Sequence, residues 1–381
     1  MASSLFSVPK ICFGPQAISA LQRLNHKKVG IVTDAFMVQS GKTRDLINEM
    51  PQATVSIFSD VKPDPNVDVL CAGAAHFLAF RPEVIIALGG GSALDAAKGI
   101  KVTLAESLPD HAIELIAIPT TSGSGSEVTA YAIISDPQNG RKYPLIADAL
   151  VPDYAILDAN LVLSVPRQVT VDTGMDVLTH AIEALVSINA NDFSDALAEK
   201  AIALVGQYLP VVFQDERNIQ ARSHLHNASC MAGMAFNAAG LGLVHGMAHA
   251  IGGMLHIPHG KINAMLLPLV IEFNARRAPH ALAGYQRCAA MMGITAATAE
   301  QALGALIDHI HAMNRRFGIP ATLQALGTDL TDFAAIRQPL IAATLADGCT
   351  ASNPCQPTAV EVDRLLTLIA GQQYPQAQRH R

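Results

Sequence analysis

Charge is scarce in this chain. Only 15% of its 381 residues are Asp, Glu, Lys or Arg, against about 25% in an ordinary soluble domain. Such a deficit fits a large interior, or surface hidden between subunits, so a homodimer or larger homo-oligomer is expected. Basic clusters are missing as well. The net charge is −6, and the densest internal basic spots are His26-Lys27-Lys28 and Arg276-Arg277. Phosphate binding needs many Lys and Arg on one face, so no nucleic-acid partner is expected. The opening residues, Met1 to Lys10, lack a basic start followed by an apolar core, and no secretory signal is expected. Cys12, Cys71, Cys230, Cys288, Cys349 and Cys355 are scattered, with no close metal-type pairing. A reduced, cytoplasmic protein follows as the simplest expectation. Internal repeats and low-complexity segments are absent. A long stretch without Asp, Glu, Lys or Arg, Asn227 to Gly260, has the length of a membrane span. It also carries Asn227, Asn237, four His and many Gly, which hydrocarbon does not tolerate cheaply. A buried helix pair beside a polar site is expected there, and no membrane association.

What is present is a two-part pattern in a chain long enough for two domains. Val29–Thr33, Thr54–Phe58, Val84–Leu88 and Leu115–Ile118 are short apolar runs with helical patterns between them, among them Val67–Leu78 and Ser92–Leu104. Buried strands alternating with helices indicate a parallel sheet covered on both faces. Val128–Ser135 and Lys142–Ile146 suggest a hairpin closed by Asp136-Pro137-Gln138-Asn139-Gly140. After Pro166 the strand pattern stops. Helices are expected over Val169–Ser187, Asp192–Tyr208, Ile219–Phe236, Leu243–Leu255 and beyond Ala299. The expected fold is an α/β domain with a Rossmann-like parallel sheet, residues 1–165, followed by an all-α domain, residues 166–381. The site is expected in the cleft between them.

Val84–Leu88 runs into Gly89-Gly90-Gly91-Ser92 and then a helix containing Asp95 and Lys98. Glycines let a phosphate approach the backbone, and unpaired N–H groups at a helix start point at it. Thr120-Thr121-Ser122-Gly123-Ser124-Gly125-Ser126-Glu127 follows another strand, at the sheet edge where open α/β folds bind ligands. Two such loops on one edge favour a dinucleotide. Asp34 closes the first clear strand; a carboxylate there accepts from an adenosine ribose and repels a 2′-phosphate, which favours NAD, or else it only caps a helix.

The helical part carries a different chemistry. Asp176 and His180 are four apart on one helix face and can grip one cation. His245, His249, His256 and His259 follow in otherwise apolar surroundings, where polar groups are costly unless something pairs them. Imidazoles with one carboxylate and no Cys suit Fe(II) or Zn(II); the spacing does not choose between them.

Together these stretches resemble the iron-containing alcohol dehydrogenase family. The resemblance rests on Gly89–Asp95, Ile118–Glu127, Gly174–Glu183, Gly242–His249, Ile257–Gly260 and Asn263–Pro268, and it covers nearly the whole chain. Within the family, Arg141–Leu145, Asp192–Lys200 and His226–Ser229 look most like the 1-propanol dehydrogenases of propanediol-utilisation microcompartments. Ethanol dehydrogenases of ethanolamine utilisation and lactaldehyde reductases are close alternatives. The resemblance implies NAD(H) and Fe(II), or Zn(II), as cofactors, a small alcohol or aldehyde as substrate, and a microcompartment shell as a potential partner. It implies Asp176, His180, His245 and His259 as metal ligands and His249 as a proton relay. Asp34, Gly90, Gly91, Ser92, Asp95, Thr120, Thr121, Ser124, Thr129 and Lys142 would meet the cofactor. Tyr131 and Phe236 would face the substrate. Ala250 stands where relatives carry Gln or Pro, and Cys355 where they carry Arg after Asn-Pro; Tyr131 replaces an Asn of the lactaldehyde reductases. These departures put the substrate in doubt, leaving acetaldehyde, lactaldehyde and sulfoacetaldehyde beside propanal. A lyase like dehydroquinate synthase needs a basic cluster that the helical part lacks, Lys261 excepted. A non-catalytic metal-binding scaffold leaves the two loops unexplained.

Overall fold

In a computed structural model, the protein is described over residues 6–136 and 141–372, with the side chains of Arg141 and Lys142 left out. Two compact units emerge. The first comprises Met1–Thr170 and Tyr208–Asn237, the second Val171–Gln207 and Ala238–Arg381.

The first unit is built on a six-stranded parallel sheet. Its strands are β1 (Lys10–Phe13), β2 (Lys28–Asp34), β3 (Thr54–Val61), β4 (Val84–Gly89), β5 (Glu114–Pro119) and β8 (Tyr154–Leu157), in the order β1-β8-β5-β4-β2-β3. Alternation along the strands sends side chains to both faces. Ile85, Ala87, Leu115 and Ala117 join Leu70, Ala74, Phe77 and Ile100 of helices Val67–Leu78 and Gly91–Ser107. Val84, Ile86, Leu88, Ile116 and Ile118 join Leu21, Leu24, Met37 and Leu46 on the opposite face. Both faces are therefore covered, which is why these runs are continuously apolar. The chain leaves β2 towards β3 but leaves β4 towards β5. The carboxyl ends of β2 and β4 thus form a topological switch point, the usual crevice for a ligand in such sheets.

A separate hairpin pairs β6 (Tyr131–Asp136) with β7 (Arg141–Ile146), antiparallel. Its expected turn lies outside the described residues over 137–140. The first hairpin strand begins later than expected, because Ser126–Val128 coil into a 3-10 turn. Strands β1 and β8 were not expected. Each has only four residues, too few to show a period, and the sheet's edge supplies the pairing that defines them.

The second unit is helical. Its segments include most of Arg167–Val186, together with Leu243–Leu255, His259–Arg277 and Phe333–Ala346. The uncharged stretch from Asn227 is divided between helices Ile219–Ala239 and Leu243–Leu255, with Gly240 in the left-handed region at the break. Helix Asp192–Gln214 runs on through Pro210, beyond its expected end at Tyr208; among the described residues it is long and apolar enough to cross a membrane, as is the bent pair Ile219–Ala239 and Leu243–Leu255 taken together.

Ile86 is fully buried at the centre of the sheet. Replacing it by Ala should destabilise the protein by about 2–5 kcal/mol, since the side chain is lost and a cavity remains. Urea denaturation checks this; a loss under about 1 kcal/mol contradicts the sheet as the main core.

Candidate functional site

In the first unit, the structure brings the expected loops together. Thr120 N–H donates to Gly89 O at 2.9 Å, tying the end of β5 to the glycine turn. A Cβ at Gly91 would lie 3.1 Å from Ser124 Cβ, and one at Gly90 would lie 3.5 Å from Thr121. A Cβ at Gly89 would stand 3.6 Å from Asp34 Oδ2. Asp34, Gly90, Gly91, Thr120, Thr121 and Ser124 therefore share the switch-point edge. Gly90 is the N-cap of helix Gly91–Ser107 and offers no side-chain cap, which suits an anion at that helix start. Ser92 Oγ accepts from Asp64 N–H at 3.3 Å. Asp34 Oδ1 accepts from Met37 N–H at 2.9 Å and caps a short helix.

Asp95 and Thr129 lie deeper. One Asp95 oxygen accepts from Ser126 Oγ at 2.6 Å and the other from Ile133 N–H at 3.0 Å. Lys98 Nζ donates to Thr129 O, Thr129 Oγ1 and Tyr131 O at 2.8, 3.2 and 2.7 Å. Burial pushes the Lys98 pKa down to about 8 and that of the neighbouring Glu127 up to about 7. These groups brace the serine–glycine loop from within. Lys98 and Glu127 had no sequence signal beyond standing in the loop motifs. Tyr131 and Phe236 face each other with ring centroids 6.4 Å apart. Lys142 stands in β7, and its side chain lies outside the described residues.

In the second unit, helices from distant parts of the chain aim polar groups at one point. Helix Arg167–Val186 presents Asp176 and His180; Leu243–Leu255 presents His245 and His249; His259 opens His259–Arg277. Asp176 Oδ1 lies 3.7 Å from His180 Nε2, 3.5 Å from His245 Nε2 and 3.7 Å from His259 Nε2. Ligand atoms about 2.1 Å from a tetrahedral divalent ion stand about 3.4 Å apart. The set therefore has the spacing and the donor chemistry of an Fe(II) or Zn(II) site. Close approach of two helices makes it possible: a Cβ at Gly260 would fall 2.2 Å from Asp172 O. His256 ends its helix in left-handed backbone, exposed.

Asn263 completes the centre. Its amide Nδ2 lies 2.6 Å from Asp176 Oδ1, 3.1 Å from His245 Nε2 and 3.0 Å from His259 Nε2. Its Oδ1 is buried without a hydrogen-bond partner among the described residues. The Asp176 and His259 lone pairs thus converge on a partly positive nitrogen, and a cation would satisfy them better. Burial works against ionisation of Asp176, but the surrounding imidazoles outweigh it and hold the carboxyl well below its usual range. Burial pushes the His180 pKa down to about 4. It would lower that of His245 too; the Glu183 and Asp176 carboxylates outweigh it and push His245 up to about 9.

His249 stands beside the centre, its ring stacked on His259 with centroids 5.2 Å apart. Its Nδ1 is 2.9 Å from Asp347 Oδ2. Asp347 also accepts from Cys349 N–H at 2.8 Å. Burial would raise the Asp347 pKa, and these hydrogen bonds hold it below the usual value instead. Ala250 is buried beside His249. Cys355 Sγ lies 3.5 Å from Asn274 Oδ1, and its carbonyl accepts from Asn353 Nδ2 at 2.7 Å. Sequence reasoning missed Asn263, Glu183 and Asp347. Asn263 is four residues beyond His259 and Glu183 seven beyond Asp176, so helical spacing could have found both. Asp347 is 98 residues from His249, and no local pattern connects them.

A glycine turn at a sheet's switch point and a carboxylate–imidazole cluster in a helical unit define a class, the metal-dependent dehydrogenases. Residues 9–159 match the family described as "Iron-containing alcohol dehydrogenase", and residues 170–369 match "Fe-containing alcohol dehydrogenase family, C-terminal". The chain is 45% identical to the 1-propanol dehydrogenase PduQ of Salmonella typhimurium over 93% of its own length and 96% of that protein. It is similar to the solved iron-containing alcohol dehydrogenase of Thermococcus thioreducens, with TM-score 0.88, 31% identity, and 97% and 100% of the two chains covered. It is also similar to the sulfoacetaldehyde reductase of Bifidobacterium kashiwanohense solved with NAD+, with TM-score 0.86, 28% identity, and 97% and 100% covered. The chain belongs to the iron-containing alcohol dehydrogenase family.

A cation taken up at His245 Nε2 must displace the proton that the raised pKa keeps there at pH 7. Metal uptake at pH 7 should release about one proton, and affinity should climb with pH up to about 9. Calorimetric titration in buffers of different ionisation enthalpy checks this; uptake without proton release contradicts it.

Proposed function

We propose that this chain is a metal-dependent, NAD(H)-linked alcohol dehydrogenase that interconverts short primary alcohols and aldehydes, 1-propanol and propanal foremost. The observation that carries the reading is the convergence of Asp176 Oδ1 with the Nε2 atoms of His180, His245 and His259. The 45% identity to PduQ supports the choice of substrate.

When bound, Fe(II), or Zn(II) in its place, supplies Lewis acidity toward a substrate oxygen, and the nicotinamide supplies two-electron redox chemistry. The chain's own residues do the rest. Asp176, His180, His245 and His259 hold the ion, and the amide of Asn263 gives way to it. Gly90, Gly91 and Ser92 offer backbone N–H groups and a hydroxyl to the pyrophosphate. Thr120, Thr121, Ser124 and Lys142 line the remainder of the dinucleotide site, and Asp95 and Thr129 support it from within. The second Asp34 oxygen accepts from the adenosine ribose and repels a 2′-phosphate. Asp347 accepts a hydrogen bond from Nδ1–H of His249, which leaves Nε2 to hold or pass the proton of a substrate hydroxyl. In the first unit, the facing rings of Tyr131 and Phe236 offer an apolar surface to a short substrate; in the second, Ala250 keeps the position beside His249 small, and Cys355 stands against Asn274. The same reading makes the working form a cytoplasmic homodimer or larger homo-oligomer associated with a microcompartment shell.

Metal-reconstituted protein should oxidise NADH with propanal faster than with acetaldehyde, lactaldehyde or sulfoacetaldehyde, and metal-free protein should not. A preference for a charged aldehyde moves the substrate; no turnover with any metal overturns the reading. Asp347→Asn should lower kcat by about 10- to 100-fold with metal content unchanged, measured by steady-state kinetics beside metal analysis. Asp34→Ser keeps a helix cap and removes the charge, so the ratio of NADPH to NADH efficiency should rise by about tenfold. An unchanged ratio would take Asp34 out of the cofactor site.

A further inference from the structure

Glu183 is 4% exposed, and none of the roles above uses it. Its carboxylate takes hydrogen bonds from three donors. Oε1 accepts from Val244 N–H at 2.7 Å; Oε2 accepts from Gly242 N–H at 2.9 Å and lies 2.6 Å from His245 Nδ1. Both N–H groups belong to the start of helix Leu243–Leu255, whose N-cap residue, Gly242, has no side chain to cap it. A larger residue at that point would push the carboxylate off its donors, since a Cβ at Gly242 would lie 2.8 Å from Glu183 Oε1. Asn353 Oδ1 takes the next N–H, of Leu243, at 3.1 Å.

From this contact set we infer that Glu183 is a positioning residue for the metal centre, holding His245 as the Nδ1–H tautomer with Nε2 aimed at the ion. A carboxylate only accepts, so the proton in the Glu183–His245 contact sits on Nδ1. The Nε2 lone pair is then left for a cation beside Asp176, and the charge behind the ring strengthens it as a donor. Glu183 shares its helix with Asp176 and His180, and His180 stacks on His245 with centroids 4.7 Å apart and 15° between planes. One helix thus supplies two of the proposed ligands and the group that orients a third. The competing role is a helix cap alone. The inference rests on the reading of His245 as a metal ligand.

Glu183→Gln separates the two roles. A Gln has one accepting oxygen for three donors, so its amide must face either Val244 N–H or the His245 ring. Zinc binding to the full chain, measured by chelator competition, should weaken by about 10- to 100-fold. The rise in Tm that zinc produces should shrink in step. A lower metal-free Tm with unchanged zinc affinity means that Glu183 only caps the helix, and overturns the inference. Should Glu183→Gln fail to fold, 15N-imidazole NMR of the zinc-loaded wild-type protein decides. His245, assigned through His245→Ala, should show a proton on Nδ1 and metal on Nε2; metal on Nδ1 overturns the inference. Wild-type protein that binds no zinc, or His245→Ala that binds it as tightly, overturns the underlying metal reading instead.

Discussion

A buried carboxylate oxygen with three imidazole nitrogens turned toward it is costly to assemble, and the second unit is arranged around that cost. Asp176 Oδ1 stands 3.5–3.7 Å from all three. Without a cation between them, the lone pairs of Asp176, His180 and His259 crowd together and remain poorly solvated. The helices must nevertheless approach closely enough to bring them together. Gly260 permits one approach by leaving no side chain against Asp172 O. Glu183 and Asn353 secure another by capping the helix that carries His245. Removal of the cluster would leave little reason for polar groups in the middle of otherwise apolar helices.

The first unit answers a different demand with different means. Its sheet is buried on both faces, so chemistry is confined to the carboxyl ends of the strands. There the groups on offer are mostly backbone N–H and hydroxyl: the glycine turn, the threonine–serine loop and one carboxylate at the end of β2. Such an edge binds a ligand through shape and hydrogen bonds. The helical unit instead gathers ionisable side chains. A metal-dependent dehydrogenase needs both, because the dinucleotide must be held and oriented while the metal must be gripped.

The sequence made some of this legible and hid the rest for physical reasons. The centres of β2, β4 and β5 are buried apolar runs because both of their faces are covered, so they were readable; β3, at the sheet's edge, showed through its Val55-Ile57-Phe58 stretch. Strands β1 and β8 owe their pairing to the sheet, and four residues carry no pattern of their own. Helix Leu243–Leu255 matched its expected bounds, as did Val67–Leu78, since an apolar face repeats along each. The four proposed ligands were found from helical spacing and family resemblance. The groups behind them were not, for they are joined in space only: Asp347 meets His249 across 98 residues. Asp95 lies beside the glycine turn in sequence, yet both its oxygens turn inward to Ser126 and Ile133, a direction that spacing does not encode.

Anomalous diffraction at the iron edge, on crystals grown from Fe(II)-loaded protein, tests the central claim most directly. The account predicts one strong peak among Asp176 Oδ1 and the Nε2 atoms of His180, His245 and His259, about 2.0–2.2 Å from each. An empty centre with Asn263 still seated in it, or iron bound elsewhere, would contradict it.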